Sequence, residues 1–243
     1  MRAFELETNR RAQIGLVVLR TDETIEHDMR RLMPDGVELL VSRVQSDGIV
    51  TGETLAAMEG DLGRAAELFP PAARFASMGY GCTSGTAQIG AARIETLLRD
   101  VSGAKAVTNP VTALVAACRA MEVGRLAIVS PYIAPVAKTL CDVLKREGLE
   151  TPAVTSFDVA DEATVVRIAG ASITRAACTV AKGADVDAIF LSCTNLRTLD
   201  VIAGIEDATG LSVISSNTAL AWHMLKLAGV PAPPSAPGRL FTV

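Results

Sequence analysis

The chain has 243 residues, 49% of them hydrophobic and 21% charged, with a formal net charge of −4. That length can bury a sizeable core as one large domain or two small lobes. The lack of a basic run argues against a nucleic-acid or anionic-membrane partner. No apolar stretch approaches the roughly 20 residues of a membrane-spanning helix, and residues 1–8 lack the apolar core of a secretory signal, so a cytoplasmic protein is expected. Aromatic residues are scarce at 4%, while Ala, Val, Leu and Ile abound, which suits parallel strands covered by helices.

In chain order, residues 14–19 read as a buried strand. Thr21, Asp22, Glu23 and Thr24 supply cap candidates for a helix to about residue 32, closed by Pro34-Asp-Gly36. A second strand covers 37–44. Leu55, Met58, Leu62, Ala65, Ala66 and Phe69 recur at helical spacing over 54–69, before Pro70 and Pro71 stop the helix. Residues 75–80 form the strand that delivers Cys82; a helix is expected over 87–98 and a fourth strand over 104–108. The cycle then restarts: helix 110–121, strand 124–130, helix 133–147, strand 152–156, helix 172–182, strand 188–192 delivering Cys193, helix 198–209, strand 213–215 and helix 218–228. The Pro-rich residues 231–237 read as irregular or polyproline chain. Alternating βα units with short connections imply parallel sheets covered on both faces, an α/β fold. The expected division is a first lobe of residues 1–109 plus 215–243 and a second of 110–214. The last strand and helix are expected to return to the first lobe, because no third cycle follows them.

Five cysteines, an odd number with no CxxC pair, argue against a zinc ribbon, and a reducing cytosol argues against disulfides. Cys118, Cys141 and Cys178 sit in Ala/Leu/Val-rich helical patterns and read as small buried hydrophobes. Cys82 and Cys193 differ. Each ends a hydrophobic strand, each is followed by Thr, and they stand 111 residues apart. The run Ile14-Gly-Leu-Val-Val18 is echoed 112 residues later by Leu126-Ala-Ile-Val-Ser130. This repeat predicts two similar lobes with opposed thiols at strand ends, where open parallel sheets bind ligands. Such a pair can do proton-transfer or addition chemistry without a cofactor.

Gly79-Tyr-Gly-Cys82-Thr83-Ser84-Gly85 is not a dinucleotide fingerprint, which belongs after the first strand, and no P-loop Gly-Lys-Ser/Thr is present. It reads as a close-approach turn whose amides at Thr83, Ser84 and Gly85 hold a carboxylate at a helix N-terminus. The same logic extends to Thr194 and Asn195, and a helix N-terminus is expected to lower the thiol pKa. Tyr132 ends a strand and is expected to contact substrate. Ser215-Ser-Asn-Thr218 is explained by helix capping, with a ligand role secondary. His27 and His223 stand apart, and no Cys-His-Asp cluster or G-x-S-x-G elbow points to a metal site or a serine hydrolase.

These elements together resemble the Asp/Glu racemase superfamily, within it the maleate cis-trans isomerase and arylmalonate decarboxylase branch. The resemblance runs from Ile14 to Gly229 and rests on Ile14-Gly-Leu-Val-Val, Gly81-Cys-Thr-Ser-Gly85, Ser130-Pro-Tyr132, Ser192-Cys-Thr194 and Ser215-Ser-Asn217. Segments around Phe157, Val166-Arg-Ile168, Ser192 to Arg197 and Ser216 to His223 are similar to members linked to ectoine utilisation. The resemblance implies two pseudo-symmetric Rossmann-like lobes with the site in the cleft between them. It also implies a cofactor-free enzyme with no metal, acting on a small carboxylic acid, working as a homodimer or higher homo-oligomer. Cys82 would add to a substrate double bond and Cys193 would act as acid and base. The alternatives are a racemase, an arylmalonate decarboxylase-like lyase, or a small-acid binding protein. Possession of both cysteines argues against the lyase, whose relatives keep only the second. Asp22, Thr83, Ser84, Tyr132, Glu162, Thr194 and Asn195 would line the substrate. Asp22, and an acidic residue at Asp161 or Glu162, stand where maleate isomerases carry Asn. An acceptor-only carboxylate there implies a substrate with an amino or amide group in place of one carboxylate.

Overall fold

The computed structural model describes residues 4–6 and 11–243, so the residues read for a leader lie largely outside it. The first half runs β1 (Ala12–Leu19), α1 (Ile25–Leu32), β2 (Val37–Val44), α2 (Gly52–Ala57), α3 (Glu59–Glu67), β3 (Phe75–Gly81), α4 (Thr83–Ile89), α5 (Ala91–Ser102) and β4 (Val107–Thr108). The second runs α6 (Pro110–Ala120), β5 (Arg125–Tyr132), α7 (Ala134–Arg146), β6 (Glu150–Val159), α8 (Glu162–Val165), α9 (Gly170–Ala181), β7 (Ala188–Leu191), α10 (Ile202–Thr209), β8 (Ser212–Ser215) and α11 (Ser216–Ala228).

The strands form two four-stranded sheets, ordered β2-β1-β3-β4 and β6-β5-β7-β8. Every ladder within them is parallel. The two orders are the same once the second set is shifted by four strands, so the expected repeat is real at the level of topology. β1 and β7 are buried almost throughout because helices cover both faces of each sheet. β3 and β7 hold equivalent interior positions, and each ends just before a cysteine.

The last strand corrects one expectation. β8 pairs with β7, from Ala188 opposite Ser212 to Leu191 opposite Ser215, so it stays in the second sheet. The helix after it does cross over. Leu220, Ala221, Met224 and Leu225 of α11 join the core that contains β1 and β3, while Ala219 and Trp222 face α6 and β5. Gly79 makes this crossing possible, since a Cβ there would sit 2.6 Å from the Met224 sulfur. We propose that the lobes divide near residue 109, with the strand at 212–215 in the second lobe and α11 clasping the two.

Three local differences have physical causes. The helix expected over 54–69 is two helices broken at Met58, because Thr51 and Thr54 form a reciprocal capping box that starts α2 on its own axis. The helix expected from residue 87 begins at Thr83, because Cys82 is itself the N-cap, and it breaks at Gly90 with φ of +100°. A short helix over Glu162–Val165, capped by the Asp161 carboxylate, was not expected at all.

Candidate active site

Both cysteines lie at carboxyl ends of central strands and are buried, Cys82 to 5% exposure and Cys193 to 3%. They reach their positions differently. Cys82 continues extended from β3 into the first turn of α4 and accepts the Gly85 N–H on its sulfur at 3.1 Å. Cys193 has φ of +116°, a left-handed conformation that a side chain resists; strain of this kind persists where surrounding contacts over-determine it, commonly at functional sites. No helix starts at Cys193, but the Asn195 N–H turns back onto its sulfur at 3.3 Å, as the Gly85 N–H does on Cys82.

One hydroxyl ties the two cysteine loops together. Ser216 Oγ, at the start of α11, accepts the Thr83 hydroxyl at 2.7 Å and the Cys193 N–H at 3.0 Å. In the other direction Thr194 donates its hydroxyl to the Gly81 carbonyl at 3.1 Å. The hydroxyl protons of Thr83 and Thr194 are thus engaged in joining the halves. The amides of Thr83 and Ser84 belong to the first turn of α4, whose N–H groups have no partner within the helix. The Gly85 amide, expected to face a ligand, serves the Cys82 sulfur instead. Ser84 also borders a cavity of about 210 Å³ shared with Thr51, Leu55, Ile133 and Val136.

Cys82 has a phenol beside it that the sequence reading passed over. Tyr80 is fully buried, and its hydroxyl lies against the Cys82 sulfur and the Met58 thioether, donating to the latter at 3.8 Å. A residue two positions before Cys82 in a strand points to the same side, and this chain has only two tyrosines; that pairing was the signal available. Gly85 is required by the same crowding, because a Cβ there would come 2.9 Å from the Cys82 sulfur and 2.7 Å from the Tyr80 hydroxyl. Burial pushes the Cys82 thiol up to about 12, aided by the nearby charges of Glu162 and Asp22, with the Gly85 N–H and Tyr80 pulling the other way. The expected low thiol pKa is therefore overturned for the closed site: desolvation outweighs the helix terminus.

Cys193 sits at the end of a proton chain. Tyr132 donates its hydroxyl to Glu162 Oε1 at 2.6 Å, and Asn195 Nδ2 donates to Glu162 Oε2 at 2.7 Å. Two donors on two oxygens mark Glu162 as an acceptor. The phenol also lies 3.0 Å from the Cys193 sulfur, a contact that either atom can donate; while an ionised Glu162 holds the phenol proton, the thiol is the donor. In that state the chain of donors runs thiol, phenol, carboxylate. The Cys193 thiol is held well up, by burial first and by the charge of Glu162 second.

Of the two acidic candidates near residue 161, the structure brings Glu162 into the site, 3% exposed, and leaves Asp161 half-buried as the cap of the short helix. Glu162 comes from the second half yet is held by the first. Its N–H donates to the Gly48 carbonyl at 2.9 Å, and the Val50 N–H donates to the Ala160 carbonyl at 2.8 Å. Conversely, Asn195 of the second half accepts the Glu23 N–H on Oδ1 at 2.9 Å and the Thr24 hydroxyl on its carbonyl at 2.9 Å. Asp22, just before, is buried and lies close enough to both thiols and Glu162 for its charge to oppose theirs. Deeper still, Asn217 Nδ2 links the Asp28 carboxylate at 2.8 Å to the Thr194 carbonyl at 2.9 Å, a role beyond the capping the sequence suggested. His27 is exposed, and His223 is occupied with the Thr108 hydroxyl at 2.8 Å.

Two inequivalent thiols, two phenols and two carboxyls enclosed between parallel sheets define a class of cysteine enzyme. A profile of the arylmalonate decarboxylase family matches residues 76–241, and the chain belongs to that family. It is 29% identical to the maleate isomerase of Nocardia farcinica over 94% of this chain and 95% of the relative. It is 32% identical to the arylmalonate decarboxylase of Bordetella bronchiseptica over 62% and 63%. Among solved structures, the maleate isomerase Iso of Pseudomonas putida S16 with maleate superposes with a TM-score of 0.87 at 25% identity, covering 96% of this chain and 98% of the other. A cysteine-to-serine mutant of the N. farcinica maleate cis-trans isomerase, solved with a covalently bound succinylcysteine intermediate, gives 0.84 at 27% identity over 95% and 98%. The chain is an enzyme of this cofactor-independent, cysteine-dependent isomerase class.

Proposed function

We propose that Cys82 is the nucleophile and Cys193 the proton donor of a cis-trans isomerisation of a small unsaturated carboxylic acid. The observation that carries this reading is the inequivalence of the thiols: each receives a backbone N–H and lies against a phenol, but only the phenol at Cys193 is bonded onward to a carboxylate, Glu162, and only Cys82 caps a helix. Cys82 loses its proton to solvent while the cleft is open and burial no longer holds the thiol up. Its thiolate adds to one alkene carbon, and the electron pair displaced to the neighbouring carbon takes the Cys193 proton. Rotation about the resulting single bond follows. Cys193 then takes a proton back from that carbon as the C–S bond breaks, releasing the trans product and the Cys82 thiolate. Asp22, Thr83, Ser84, Tyr132, Glu162, Thr194 and Asn195 form the substrate pocket in this proposal, with the Thr83 and Ser84 amides on a carboxylate.

The test is intact-mass analysis of Cys193→Ser incubated with maleate and related acids. An adduct on Cys82 that fails to release supports the roles; turnover by Cys193→Ser at the wild-type rate rejects them. The protein is further proposed to work in the cytoplasm, as a homodimer or higher homo-oligomer, in ectoine utilisation. No helix among the described residues is long and apolar enough to cross a membrane. The oligomer reading rests on the resemblance, and light scattering would test it. The ectoine reading rests on the segment resemblance alone.

A further inference from the structure

We propose that the substrate of this site carries an N–H donor, an amide or ammonium nitrogen, which is bound by Asp22 Oδ2. The proposal rests on the isomerase reading and names the substrate class it acts on. Asp22 Oδ1 is fully used, accepting the Thr24 and Ile25 N–H groups at 2.8 Å each. Oδ2 is buried with no hydrogen-bond partner, while the residue as a whole is 3% exposed. The Thr194 hydroxyl lies beside it, but its one proton goes to the Gly81 carbonyl. A buried carboxylate oxygen left unpaired is costly, and a ligand that supplies the missing donor removes that cost.

The surroundings decide which kind of ligand fits. Glu162 already takes two donors, from Tyr132 and Asn195, so it offers no proton to a second acid. The cation nearest Asp22, Arg43, is directed away: it donates to the carbonyls of Leu19, Arg20 and Asp22 and pairs with Glu26. Burial raises both the Asp22 and Glu162 carboxyls; against their ionised forms a carboxylate at Oδ2 would meet an acceptor and two like charges, whereas a nitrogen donor would pair Oδ2 and favour its ionised form. A nitrogen there meets an unpartnered acceptor. The site is therefore built for a mixed ligand, with carboxylate at the amides of α4 and nitrogen at Asp22.

Maleate and maleamate form a matched pair, differing only in one carboxylate replaced by an amide, and their kcat/KM is to be measured on wild type and Asp22→Asn. Wild type should prefer maleamate by at least about 100-fold, since a site arranged for a donor rejects an analogue lacking it strongly. Asp22→Asn keeps Oδ1 for the Thr24 and Ile25 amides but presents a donor in place of Oδ2, so the preference should fall at least about tenfold toward maleate. Equal or better use of maleate by wild type overturns the proposal, and this arm does not depend on the variant folding. An unchanged preference in folded Asp22→Asn also overturns it, as does failure of wild type to bind maleamate at millimolar concentration in a thermal-shift assay. The isomerase reading is judged separately: maleamate preferred by Asp22 but leaving no Cys82 adduct in Cys193→Ser would sink the thiol roles and leave the recognition intact.

Discussion

The two cysteine sites occupy equivalent places in matching sheets, and their surroundings differ. At Cys82 the backbone runs smoothly into a helix, and the sulfur receives an N–H while a phenol lies within reach. At Cys193 the backbone is forced to a positive φ and no helix follows; the sulfur also receives an N–H, from Asn195, but its phenol is bonded onward to the Glu162 carboxylate. A repeat places the two groups at matching strand ends; in the proposed mechanism the loops make one an electron-pair donor and the other a proton donor. Sequence identity between the halves is not needed for this, since the symmetry resides in the strand order and the asymmetry in four or five side chains.

The comparison can be broken most severely at the sulfurs. Cys82→Ser should lower turnover by at least about 10⁴-fold, because an alcohol is far too weak an acid to supply an anion there. Cys193→Ser should lose release rather than addition, and a steady-state assay alongside intact mass separates these outcomes. Equal losses with no adduct in either variant would point to symmetric proton exchange, as in a racemase. Next comes the relay: Tyr132→Phe removes the group between thiol and carboxylate and should cost about 10²–10³-fold in kcat with little change in Cys82 alkylation rate. If Tyr132→Phe instead slows alkylation and leaves kcat alone, the roles have been assigned to the wrong thiols.

Gly85→Ala tests the first half by crowding. Its Cβ would displace the Cys82 sulfur and the Tyr80 hydroxyl by several tenths of an ångström or more, and a loss of about 100-fold in kcat/KM is expected. The folded fraction, read by circular dichroism, should stay high; a misfolded variant would show that the close approach matters for packing before it matters for chemistry.

The smallest effect is on stability and concerns Asp28, which supports Thr194 through Asn217. Burial, its chief cause, raises the Asp28 carboxyl from 3.8 to about 6, with Asn217, His27 and Arg31 opposing and Asp22 adding to the rise. A folded-state pKa above the unfolded value means that the native state holds the proton more tightly. The contribution is complete below about pH 4 and is lost as pH rises through about 6. Asp28→Asn, which keeps an oxygen for the Asn217 amide, should therefore stabilise the protein at pH 8 by on the order of 2–3 kcal/mol and have little effect near pH 4. Urea melts at the two pH values check this; a larger gain at pH 4 would reverse the sign.

The strand cycle, its parallel sheets and the two cysteines were legible because buried strands and amphipathic helices write their period into the chain. The placement of β8 was not, because Ser212–Ser215 is four residues long and nothing local says which sheet it joins. Tyr80 was overlooked inside an apolar strand, where a phenol looks like filler until its neighbour two residues on is known to be reactive. Glu162 could not be told from Asp161 by sequence, since the choice is made by a backbone pairing with residues 48–50 from the other half. The thiol pKa was misjudged because a helix terminus is visible in a sequence and the depth of burial is not.

That pairing does two things at once. Gly48 and Val50 hold the segment carrying Glu162 by two main-chain bonds, so the carboxylate that ends the proton chain also fastens one half of the molecule to the other. Any parting of the halves wide enough to admit an acid must strain or undo that fastening, and with it the line from Cys193 through Tyr132. In this geometry, fastening the halves and completing the chain from Cys193 to Glu162 are one and the same arrangement. Two amides thus serve as both clasp and keystone of the relay.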